Sequence, residues 1–108
     1  MRIKYDKLIR DNIPKIIHNN GSKAVTYKLS NPEELKAKLL NKLQEEIDEY
    51  IESGEPEELA DIMEVIKAIT ENIHEMNFEE IEKIRAKKEQ ERGGFDQGIV
   101  LSEVKEKN

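Results

Sequence analysis

Two prolines, Pro32 and Pro56, each head a run in which apolar residues recur every three or four positions, and the first run stops at Ser53-Gly54 just before the second begins. Proline suits the first turn of a helix, where its missing N–H is no loss, and glycine suits the position just past the end. In the first run Asn31 is placed to cap, with Glu34 where a capping-box glutamate stands, and Leu35, Leu39, Leu43, Ile47 and Tyr50 form the stripe. The second stripe is Leu59, Ile62, Met63, Ile66, Ile69 and Ile73. Two such helices joined by so short a loop predict an antiparallel hairpin. Asn77 and Glu80 repeat the cap pattern for a third helix, which runs to the stop at Gly93-Gly94.

Outside these helices the signals are shorter. Ile9 to Ile17 reads as a short helix entered through Asp11, with Pro14 in its first turn. Ala24–Leu29, after the turn at Asn20-Gly21, and Gly98–Leu101 read as short strands or extended segments that could pair. The tail 104–108 is expected to fray. No internal repeat or flexible linker interrupts the chain, so residues 1–108 read as one domain.

Composition matters here through the core. With 108 residues, 36% hydrophobic and 39% charged, the chain has little apolar material for a self-sufficient globule. Such a chain is either partly disordered or shares its core with a partner. Ile62, Val65, Ile66, Ile69 and Ile73 make an arc on the second helix too wide for one neighbouring hairpin to cover. Two hairpins packed face to face would bury it. The expected fold is therefore mainly α: an antiparallel helical hairpin plus a third helix, assembling into a four-helix bundle by oligomerisation, with short extended segments near the termini.

Several classes of function are excluded. The absence of cysteine removes disulfide scaffolds, thiol nucleophiles and thiolate zinc sites, and two histidines, His18 and His74, are too few for a histidine-rich metal site. A net charge of -6 argues against binding a nucleic-acid polymer and favours hard cations such as Mg²⁺, Mn²⁺ or Ca²⁺. No apolar run approaches the ~20 residues of a membrane span. Met1 to Asp6 lead into no apolar segment of the signal-peptide kind. The expectation is a soluble cytoplasmic domain.

The chemistry-bearing residues lie near the loop end of the hairpin. Glu46 and Glu49 are three apart on the first long helix, and Glu58 and Asp61 are three apart on the second, so each pair shares a face. At ~100° per residue and with Leu43 as zero, the apolar arc spans about -80° to +60°, and Glu46 falls inside it at about -60°. Glu49 sits just outside the arc, and Glu45 and Asp48 point roughly away. With Leu59 as zero, Glu58 falls at about -100°, among the isoleucines, and Asp61 flanks them. Carboxylates steered toward a core need pairing, protonation or a cation. A metal site and salt bridges to Lys38, Lys42 or Lys67 both answer that need.

The third helix begins its inward stripe with Phe78 and Ile81 and continues it as Arg85, Lys88 and Arg92. Bases so arranged suit a phosphate-bearing ligand. Alternatively they snorkel over a neighbouring helix and pair with Glu89 or with the acids above. Acids for Mg²⁺ and bases for phosphate in one small chain favour phosphate chemistry.

Four segments together, Lys7-Leu8-Ile9-Arg10-Asp11-Asn12-Ile13-Pro14, Glu45-Glu46-x-x-Glu49, Glu58-Leu59-Ala60-Asp61 and Glu91-Arg92-Gly93-Gly94-Phe95, resemble the MazG-like branch of the all-α nucleoside triphosphate pyrophosphohydrolases. More narrowly they resemble its small phosphoribosyl-ATP pyrophosphohydrolase-like proteins, and the likeness runs from about Tyr5 to Leu101. The resemblance implies hydrolysis of a nucleoside triphosphate to monophosphate and pyrophosphate, with Mg²⁺ or Mn²⁺, in a homodimer or homotetramer. It implies Glu46, Glu49, Glu58 and Asp61 as metal ligands, with Glu49 or Glu46 as general base. Arg85, Lys88 and Arg92 would neutralise phosphates, with Arg10 and Lys7 as weaker candidates and Asp11 as a helix cap. Eight residues, Tyr50 to Glu57, separate the acid motifs, a shorter spacer than in many members, which bears on the base pocket. The competing readings are the phosphoribosyl-ATP enzyme of histidine biosynthesis and a non-catalytic helical oligomerisation module.

Overall fold

The computed structural model describes residues 6–106 and is mainly helical, with α1 Ile13–Asn19, α2 Pro32–Ser53, α3 Pro56–Asn72 and α4 Phe78–Arg92. Of the fraying tail, residues 107–108 lie outside the described residues, as does Tyr5 at the start of the family likeness. The three long helices begin and end where local chemistry places them. Asn31 is extended and accepts from the Glu33 N–H at 2.9 Å, with Pro32 opening the first turn. Asn77 accepts from the Glu80 N–H at 3.0 Å to start α4. Gly54 closes α2 in the left-handed region at φ 68°, its N–H donating to Tyr50 O at 2.8 Å.

Two local expectations are corrected. The short helix is Ile13–Asn19 rather than Ile9–Ile17, and its cap position is Asn12, not Asp11. Asn12 keeps helical backbone angles, φ -90° and ψ -5°, and makes no side-chain cap bond. A capping side chain needs an extended backbone and an N–H in the first turn, and Pro14 has removed one such N–H. A turn from Arg10 O to Ile13 N, at 3.1 Å, starts the helix instead. Among the described residues there is also no strand: 24–29 and 98–101 are irregular and unpaired. An isolated two-stranded pair is marginal without a third strand or an apolar face to lie on. Val25 and Ile99 stay 90% and 83% exposed.

Gly54 and Glu55 alone separate α2 from α3, and the two pack along one another as a hairpin. Leu39 of α2 and Val65 of α3 are the buried apolar residues, flanked by half-buried Leu43, Ile47, Ile62, Ile66 and Ile69. Thr70 is buried with them and resolves its hydroxyl by donating to Ile66 O at 2.8 Å. Among the helices α4 meets only α3, with Phe78 and Ile81 half-buried and the rest of the helix exposed.

This core is small for the chain length. The radius of gyration is 19.0 Å, with extents of 70 × 32 × 22 Å. A compact domain of about 100 residues has a radius near 13 Å. Leu40, Leu59 and Met63 remain 48%, 45% and 54% exposed on the hairpin, and Phe95, Val100 and Leu101 are more exposed still. Among the described residues no helix is long and apolar enough to cross a membrane.

Candidate metal centre

The hairpin brings acids from both of its helices together. One carboxylate oxygen each from Glu46, Glu58 and Asp61 lie within 4.8 Å of one another, and a second group, Glu45, Glu46 and Glu49, shares Glu46 with the first. The pairs come from rigid turns: Glu46 and Glu49 are one turn apart on α2, and Glu58 and Asp61 one turn apart near the start of α3. Short loop geometry then sets the two turns side by side.

Glu46 is the pivot. Its residue is 6% exposed. Lys42, one turn earlier and itself largely covered, places Nζ 3.2 Å from Glu46 Oε1. The other oxygen, Oε2, is buried with no hydrogen-bond partner among the described residues. Burial pushes the Glu46 carboxyl up, and Glu49 adds to this against the opposing Lys42 charge. Glu58 is raised in the same way, by desolvation first and then by the charges of Asp61 and Glu46. Both carboxyls are raised first by loss of water and then by neighbouring like charge.

Salt bridging and cation binding stood as alternatives for these acids. Lys42 does pair with the cluster, reaching Glu46 and also Glu45 at 3.4 Å. Lys38 donates instead to the Asp6 carbonyl at 3.1 Å, and Lys67 lines an apolar recess with Ala60, Met63, Glu64 and Phe78. Lysine pairing therefore accounts for one oxygen of Glu46 and leaves the other. An orphaned carboxylate oxygen beside two more carboxylates, all oxygen donors, suits a hard divalent cation.

Glu45 is where the helical-wheel reading fails. Its wheel angle points away from the stripe, yet it joins Glu46 and Glu49, held by Lys7 Nζ at 3.1 Å from Oε1 and by Lys42. Burial pushes its carboxyl up, but the Lys7 hydrogen bond and the Lys42 and Lys7 charges together outweigh this and lower it. Lys7 is raised in return, chiefly by the Glu45 hydrogen bond. A side chain at the edge of a stripe goes where its partner stands, and that partner comes from a distant segment. The Lys42 pairs with Glu45 and Glu46, three and four residues apart on one helix, had a local signal, whereas the Lys7 pair had none.

The basic candidates separate into two groups. Arg10 is brought to the cluster: its Nη2 lies 2.6 Å from Asp61 Oδ1, and its Nη1 lies 3.9 Å from Glu64. Arg85, Lys88 and Arg92 are exposed on α4, which does not pack on α2. Arg85 is engaged within its own helix, by Glu89 at 2.7 Å and by Glu82, whose hydrogen bonds and charge raise its already high pKa further. The cluster, fed by α2, α3 and the segment before α1, is the chemically distinctive part of the chain. No protein-family model, curated protein or solved structure matches the chain at a significant level.

Proposed function

We propose that the chain is a metal-dependent nucleoside triphosphate pyrophosphohydrolase of the MazG-like all-α kind, using Mg²⁺ or Mn²⁺. The observation that carries this reading is the buried Glu46, whose Oε2 has no partner and which faces Glu58 and Asp61 from the neighbouring helix. Glu46, Glu49, Glu58 and Asp61 would hold the cation. When bound, it supplies neutralisation of phosphoryl oxygens and activation of water. The protein's own groups do the rest. Glu49 or Glu46 accepts the proton of the attacking water, whose oxygen bonds to the α-phosphorus. The bond from that phosphorus to the bridging oxygen breaks, and pyrophosphate leaves. Arg10 stands beside the cluster to bind a phosphate, while Lys88 and Arg92 stand exposed on α4, where Arg85 would have to exchange Glu82 and Glu89 for a phosphate.

The same reading includes assembly. Exposed Leu40, Leu59 and Met63 on an extended, thin-cored hairpin support a homodimer or homotetramer in which two hairpins make a four-helix bundle. The test is pyrophosphate release from a nucleotide panel that includes phosphoribosyl-ATP, at millimolar Mg²⁺ with an EDTA control. Mg²⁺-dependent release supports the enzyme, and the preferred substrate separates a general hydrolase from the biosynthetic one. No release from any nucleotide, with the fold intact, would leave a non-catalytic oligomerisation module.

A further inference from the structure

The segment before α1 crosses the hairpin at the acid cluster. Lys7 reaches Glu45 on α2, and three residues later Arg10 reaches Asp61 and Glu64 on α3. Its start is tied down by Lys38, which donates to the Asp6 carbonyl, and by the Tyr27 hydroxyl, which donates to Asp6 Oδ1, both at 3.1 Å. Among its described residues, 6–12, there is no helix, and only Leu8 and Ile9 are half-buried. It is held by exposed ion pairs more than by burial, and such pairs are individually weak.

Arg10 occupies a carboxylate that the proposed cation site needs. Asp61 Oδ1 accepts its guanidinium at 2.6 Å, and the same carboxylate offers an oxygen to the group it forms with Glu46 and Glu58. A divalent cation on Asp61 would face the guanidinium charge at close range, and like charges at that distance repel. Glu64, one helical turn along at 3.9 Å, gives Arg10 a second carboxylate that lies outside the cluster. From this we infer that residues 6–10 form an electrostatic strap with Arg10 as the exchangeable partner of Asp61. Without the cation, Arg10 holds the strap on α3. When the cation is bound, Arg10 leaves Asp61, and its planar donors become available to a phosphate of the substrate. The strap thereby makes cation occupancy a condition for Arg10 to bind anions. It rests on the metal-site reading and adds a specific residue exchange to it.

Calorimetric titration of the full chain with Mn²⁺, paired with hydrogen exchange of residues 6–12, tests the exchange without assaying turnover. Arg10→Ala should bind Mn²⁺ more tightly than the wild type, by up to about fivefold, the scale of one exposed ion pair. Arg10→Lys, which keeps the charge, should return the affinity toward wild type. Mn²⁺ should speed exchange of residues 6–12 in the wild type and leave it unchanged in Arg10→Ala. Equal or weaker Mn²⁺ binding by Arg10→Ala would overturn the strap while leaving the metal site standing. Failure of both proteins to bind Mn²⁺ would overturn the site and the strap together.

Discussion

Lys42 Nζ stands 3.2 Å from Glu46 Oε1, one turn away on α2, and leaves Oε2 of the same carboxylate buried without a partner. One lysine thus half-satisfies a carboxylate that two helices have pushed out of water. That residual valence is the reason to expect a cation at the hairpin, and it sets the terms on which substitutions should act.

Glu46→Gln should lower Mn²⁺ affinity by at least about tenfold, the scale of losing one charged contact of the 1.5–3 kcal/mol kind. The metal-free protein should melt close to the wild type, because relief of the burial penalty on the charge, together with that of repulsion from Glu49, offsets the lost Lys42 pair. Titration calorimetry and thermal melts in EDTA check both halves. Unchanged Mn²⁺ affinity would remove Glu46 from the site.

Lys42→Met should have the opposite profile. It leaves the buried Glu46 with neither oxygen paired, which costs about 1–3 kcal/mol in the metal-free protein. Saturating Mg²⁺ should recover most of that loss, since ligand binding stabilises the native state by mass action. Denaturant melts of the variant with Mg²⁺ and with EDTA provide the comparison, and the same deficit in both would count against cation binding there.

The raised carboxyls give a pH signature. Glu46 and Glu58 titrate above the ordinary glutamate range, so between the unfolded and folded pKa values the native state binds more protons than the unfolded state. Their contribution to stability is present in full below the unfolded pKa and is lost as pH rises through the folded pKa. Glu45 and Glu82 are lowered and act in reverse, with stability present above the unfolded pKa and lost as pH falls through the folded one. In EDTA, the melting temperature should therefore rise as pH drops from 7 toward the glutamate range, then fall in stronger acid. With Mg²⁺ present the rise should disappear, because protons and cation compete for Glu46 and Glu58. A melting temperature that falls steadily from pH 7 in EDTA would contradict this account.

Met63→Lys probes assembly with little disturbance to the hairpin, because Met63 is 54% exposed in the single chain. The wild type should be at least a dimer by light scattering at micromolar concentration. The variant should shift toward monomer and lose stability in a concentration-dependent way. A compact wild-type monomer would show that the exposed Leu40, Leu59 and Met63 are not an interface.

Much of the fold was legible in the sequence because it is set by contacts a few residues long. The caps at Asn31 and Asn77, the openings at Pro32 and Pro56 and the stops at Gly54 and Gly93 each need only a backbone angle and a neighbouring N–H or carbonyl. The placing of Glu46 among apolar residues follows from its angle on the helix alone. Where local signals were weak, tertiary structure decided. The strand-like segments 24–29 and 98–101 stayed irregular because no third strand or apolar face receives Val25 and Ile99, which are left exposed. The charges around the site were decided by tertiary structure too. Lys7 meets Glu45 across 38 residues and Arg10 meets Asp61 across 51, while Arg85, read as facing inward, turns to Glu82 and Glu89 on its own helix. Helical period fixes which side of a helix a charge occupies. Partners three or four residues away, as for Lys42–Glu46 and Arg85–Glu89, come with that period. The path of the whole chain decides which distant charge stands there, as for Lys7–Glu45 and Arg10–Asp61, because only folding brings such residues within reach.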